Sequence, residues 1–165
     1  MSAARTDIAK YFGRGDPPSD RLLVNWDGFD QLEKEDAVAF YAGKTWIDLY
    51  RHLRSLKGAL FGADYRLEEW AVLTPGAQKY YLLAFLEYLL ESVEEANPDD
   101  RFVSDLFFWL YEATRIHDGE MFSHEETEVL RRIAIYTREA VNKNAGYEEW
   151  QDDIAENINR FLAFI

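Results

Sequence analysis

The chain has 165 residues, 48% of them apolar and 16% aromatic, which excludes a disordered chain and is enough for a sizeable core. It has no cysteine, so disulfides, thiolate metal sites and cysteine nucleophiles are excluded. A formal charge of −13 argues against binding nucleic acid through its phosphates, which needs a basic face.

Residues 1–30 read as a loop-rich segment, with the turn formers GRGDPPSD at 13–20 and a short strand at RLLVNW (21–26). The opening MSAARTDIAKYFGRGD lacks the apolar core of a signal peptide, so a cytoplasmic location is the expectation. DQLEKEDAVAFYAGK (30–44) reads as a helix stopped at Gly43, the residue suited to a left-handed cap. Thr45 then caps a helix whose apolar face holds Trp46, Ile47, Leu49, Tyr50, Leu53 and Leu56. GALFGADYR (58–66) reads as a loop or short turn, and RLEEWAVL (66–73) as one or two helical turns.

The stretch 73–100 has the clearest boundaries. Thr74 is placed as an N-cap, Pro75 at the first helical position, and Asn97-Pro98 as the stop. Between them apolar residues fall on nearly every side, which marks a buried central helix at about 75–96. Its longest apolar run, YYLLAFLEYLL (80–90), is interrupted by Glu87 and falls short of the ~20 residues of a membrane span. Residues 101–117 form a second apolar helix containing Phe107, Phe108 and Trp109. Ser123 and Glu126 have the spacing of a capping box that opens a further helix, with Val129, Leu130, Ile133, Ala134, Thr137, Ala140 and Val141 as its buried stripe. Asn144-Ala145-Gly146 ends it, and a last helix from about Tyr147 has Trp150, Ile154, Ile158, Phe161 and Ile165 at helical spacing. The expected fold is therefore an all-α single-domain bundle of five to seven helices.

Chemistry-bearing patterns are sparse. His117, Asp118, Glu120 and His124 are the candidates for a metal site, but the histidines are seven apart with Gly119 between them, unlike the helical zinc pattern with histidines four apart. The same residues serve as a helix end at His117–Gly119, a hydrophobic link at Met121–Phe122 and a cap at Ser123. His52, between two arginines, reads as a surface residue. AGK at 42–44 followed by Thr45 resembles the tail of a phosphate loop, but the upstream glycine is missing. No serine-nucleophile elbow and no dinucleotide fingerprint occur, so no catalytic residue, cofactor or metal is assigned.

The charge is unevenly spread. Residues 91–128 hold twelve acids and two bases, a net −10, against −2 for residues 1–90 and −1 for residues 129–165. Such a field steers cationic partners, although a solvated surface is the other reading of it. If it is an interface, Glu91, Glu94, Glu95, Asp99, Asp100, Glu120, Glu125 and Glu126 are the partner-binding candidates. The aromatic residues Phe108, Trp109 and Tyr111 read as core first, with any outward-facing member as a hot spot.

Two stretches, AFYAGKTWIDL (39–49) and LTPGAQKYYLLAFLEYLLE (73–91), resemble the core pattern of a family of small bacterial proteins of unknown function. The matching residues are Phe40, Gly43, Lys44, Trp46, Leu73, Thr74, Pro75, Ala77, Tyr80, Tyr81, Leu82, Ala84 and Phe85. The family's second proline is Leu83 here, and its glutamate after Thr-Pro is Gly76. The resemblance spans residues 39–91, roughly a third of the chain, and implies a bacterial cytosolic protein; it brings no catalytic residues. In size, acidity and helical content the chain is also similar to immunity proteins, which neutralise a cognate toxin. The expected function is non-enzymatic binding of a basic protein partner, a toxin domain, without nucleic acid or membrane. The alternatives are a metal-dependent enzyme using His117, Asp118 and His124, and a homo-oligomeric structural protein.

Overall fold

In the computed structural model, residues 8–19, 23–24, 30–57, 62–93, 95 and 99–165 are described. The regular elements among the described residues are all helices. The chain's α-helices are α1 Gln31–Tyr41, α2 Trp46–Ser55, α3 Ala63–Ala71, α4 Pro75–Ser92, α5 Asp100–Ile116, α6 His124–Val141 and α7 Gln151–Phe164, with a 3-10 turn at Ala145–Tyr147. Two compact units, Met1–Tyr88 and Leu89–Ile165, divide inside α4. No described helix is long and apolar enough to cross a membrane.

In the first unit, local side-chain chemistry sets the helix ends. Asp30 accepts from the Leu32 N–H at 2.7 Å, and Glu33 reaches back to the Asp30 N–H at 3.2 Å, together opening α1. α1 stops at Tyr41, with Gly43 left-handed at φ 71°. Thr45 opens α2 as expected, and Asp48 completes the box by accepting from the Thr45 N–H at 3.0 Å. Leu49 and Leu53 carry the buried face of α2, whereas Ile47, expected there too, is exposed. α3 begins at Ala63, inside the stretch expected to be loop, and buries Ala63, Leu67 and Trp70 at helical spacing. Residues 58–61 of that stretch lie outside the described residues. α3 packs on α1.

The segment before residue 30 holds more order than its turn-rich sequence suggests. Residues 8–11 are helical, and Ile8 and Phe12 are buried. Gly13 has φ 69°, and a Cβ on it would lie 2.5 Å from Leu83 Cδ2, so only glycine fits there. In place of a strand at 21–26, the described part is an isolated antiparallel bridge between Val24 and Leu73, with the Thr74 N–H donating to Leu23 O at 3.0 Å. The other residues of that stretch are outside the described set.

α4 starts with Pro75 at its first position. Residues 80–86 and 88–90 are all buried, which matches an apolar surface on every side. The helix ends at Ser92, earlier than 96, and Asn97-Pro98 lies outside the described residues. Gln78 and Trp70 join the start of α4 to the end of α3. The indole N–H donates to Gln78 O at 2.9 Å, and the Gln78 amide donates to Trp70 O and Ala71 O at 3.3 and 3.2 Å.

In the second unit, α5 packs most extensively on α7, which also meets α6. Phe102, Val103, Leu106, Phe107 and Leu110 of α5 and Ile154, Ile158 and Phe161 of α7 form this core. Phe108, Trp109 and Tyr111 are half-buried. The Asn157 amide donates to Ser104 Oγ at 3.0 Å. α7 begins at Gln151, later than Tyr147, because the 3-10 turn intervenes. Asn144 shapes that turn by accepting from the Gly146 N–H at 3.0 Å and donating to Glu95 O at 2.9 Å.

Candidate functional site

The eight acidic candidates all belong to the stretch 91–126, and the structure gives them unequal settings. Glu94 is outside the described residues. Glu91, Glu95, Asp99 and Asp100 are half-buried. Asp99 is the N-cap of α5, accepting from the Phe102 N–H at 3.3 Å, while its own N–H donates to Ser92 Oγ at 2.9 Å. With Asp100 it also adds to the upward shift of the Tyr147 phenol, which burial dominates. Glu126 is the returning member of the α6 capping box, accepting from the Ser123 N–H at 2.7 Å. Glu120 and Glu125 are exposed, as is Asp118 beside them.

The α5–α6 connection that presents these last three is firmly held. The Gly119 N–H donates to Thr114 O at 2.9 Å and the Asp118 N–H to Arg115 O at 3.2 Å. Met121 and Phe122 are buried, as their link role requires. Nearby acids are committed: Glu112 holds Arg115 at 2.5 Å, and Glu128 faces Arg131 at 3.4 Å. Asp118, Glu120 and Glu125 have no ion pair among the described residues. His117 caps the end of α5 and His124 starts α6, and among the described residues no group of three or more His, Asp or Glu is placed to hold a metal ion.

A second arrangement, in the first unit, was not anticipated from the sequence. The Phe40 ring, on α1, has Lys44 Nζ at 4.2 Å from its centroid and Arg66 Cζ, from α3, at 3.9 Å. His52, from α2, lies against the same ring at 5.1 Å between centroids. It is therefore half-buried and not the plain surface residue its arginine neighbours suggest. Arg66 Nη1 spans both oxygens of Glu69 at 2.7 and 2.6 Å. Below this cluster the Tyr41 hydroxyl donates to Arg66 O at 2.9 Å, and Tyr81 reaches Tyr41 O at 3.0 Å and Lys44 O at 2.9 Å.

The titration of these groups reflects that crowding. Burial and then the Arg66 charge hold the Lys44 ammonium below its usual value. Burial, Arg66 and Lys44 do the same to His52. Burial pushes Glu69 up despite its bonds from Arg66. Perturbed groups concentrated around one ring mark a functional-site candidate. Phe40, Lys44 and Tyr81 of the sequence pattern thus meet in space, a convergence that spacing alone does not reveal. No family model, curated protein or solved structure matches the chain.

Proposed function

We propose that the protein is a non-enzymatic binding module, a bacterial cytosolic immunity protein that neutralises a toxin domain with a basic cleft. The observation that carries this reading is the anchored α5–α6 connection, with exposed Asp118, Glu120 and Glu125 and, among the described residues, no ion pair to any of them. Rigid, uncompensated carboxylates give fast and selective encounter with a basic surface. Glu91, Glu94, Glu95, Asp99, Asp100 and Glu126 carry further negative charge in the stretch 91–126, with Asp99 and Glu126 also serving as helix caps. The resemblance at 39–49 and 73–91 supports the bacterial setting.

The test is co-expression with a toxin domain encoded beside this chain. The native chain should relieve toxicity. A Glu120→Lys, Glu125→Gln variant with unchanged circular dichroism should lose protection, and its association rate should fall by about tenfold or more with a weaker salt dependence. Full protection by that variant would overturn the acidic-surface reading.

A further inference from the structure

We propose that the cluster of Lys44, His52 and Arg66 around Phe40 is an oxyanion site, which takes one carboxylate or phosphate group at the Nε edge of the Arg66 guanidinium, with Lys44 adding positive charge. Both cations lie within 4.2 Å of one ring centroid, so they are separated by no more than about twice that distance. Like charges held this close repel unless an anion lies between or beside them. Among the described residues one carboxylate is bonded to the cluster, Glu69 of α3, and Arg66 Nη1 occupies both of its oxygens. Asp48 of α2 feels Lys44 but is engaged by Thr45, and Asp36 of α1 acts on Glu69. Lys44 Nζ makes no ion pair with any described carboxylate.

The hydrogen-bonding inventory points the same way. Arg66 Nε and His52 Nε2 are both buried, and neither has a hydrogen-bond partner. Buried polar nitrogens are normally satisfied, and leaving them so is costly. Because Glu69 uses only Nη1, the Nε edge of the guanidinium remains for a second oxyanion, the edge with which arginine grips carboxylates and phosphates. In the Nε2-protonated tautomer His52 adds a further donor, and Lys44 adds the charge. The site belongs to the first unit, so it stands or falls independently of the acidic connection in the second.

The full-length chain is titrated with sodium phosphate and separately with sodium acetate, against sodium chloride at matched ionic strength, while NMR follows the histidine rings. His52 should shift saturably and titrate at higher pH in the bound state, with His117 and His124 as unmoved internal controls. Lys44→Met should weaken the binding by about tenfold with the fold intact, and His52→Gln assigns the resonance and should weaken it less. Saturation by phosphate alone identifies a phosphate-bearing ligand, by acetate alone a carboxylate, and by both the shared oxyanion chemistry. A His52 response to both salts no greater than to chloride, or undiminished binding by Lys44→Met, would refute the site.

Discussion

Asp118 occupies the left-handed region at φ 51°, one position earlier than the glycine that turn chemistry points to. The two bonds from Asp118 to Arg115 and from Gly119 to Thr114 are those of a helix ending whose first residue past the cap is left-handed. Aspartate tolerates that conformation less well than glycine, so Asp118→Gly is expected to stabilise the chain by about 0.5 kcal/mol after the entropic cost of the extra glycine. A urea midpoint that rises with unchanged slope would bear this out, and a fall would mean that the aspartate side chain contributes more than its strain costs. At this scale the caps at Thr45 and Ser123 and the stop at Gly43 were legible, because each acts within about three residues of itself. The Phe40 cluster was not, because Lys44, His52 and Arg66 reach the ring from separate segments. The arginines beside His52 in sequence hid the one side of α2 on which its ring packs.

Elements were legible where one feature dominates the whole stretch. The apolar surface of α4 and the stripe of α6 are of that kind, with Val129, Leu130, Ile133, Ala134, Thr137 and Val141 buried and only Ala140 half-buried. Gly58 and Gly62 suggest a loop over the start of α3, whereas Gly62 is the residue just before its first turn. The join between α3 and α4 was invisible, since it depends on a buried glutamine contacting backbone eight residues away. Gln78→Ala removes the donor to the Trp70 and Ala71 carbonyls. It should cost about 1 kcal/mol, since Ala71 O loses this donor while Trp70 O keeps the Leu73 N–H, and Gln78→Glu should cost more because it adds a buried charge. Thermal unfolding of both variants reads this directly. A Gln78→Ala chain as stable as the native one would show that water replaces the amide.

Across the molecule, Tyr41, Tyr80, Tyr81 and Tyr147 are all shifted upward, and burial is the first cause in each. Tyr81 is pushed up to about 12. A raised phenol binds its proton more tightly in the folded than in the unfolded chain. The linked stability is therefore complete below the unfolded value of about 10 and is lost as pH climbs toward the folded values. Urea midpoints should hold steady up to about pH 9 and drop steeply by about pH 11. Tyr81→Phe should be less stable at neutral pH, by about 1 kcal/mol, since Lys44 O loses the phenol while Tyr41 O keeps the Lys44 N–H, yet decline less steeply in alkali. An alkaline slope identical to the native one would show that the other tyrosines account for the transition.

The burial of α4 on nearly every side has an evolutionary corollary. Residues 80–86 and 88–90 are buried along one uninterrupted helix, so its side chains are fixed in phase over the whole run. One residue inserted or deleted within that run would turn the buried side chains after it by about 100° about the helix axis, since a turn takes 3.6 residues. Loops such as the α5–α6 connection can change length during divergence, but the middle of α4 has no such freedom. Length variation among descendants of this chain should therefore leave the stretch from Pro75 to Ser92 untouched.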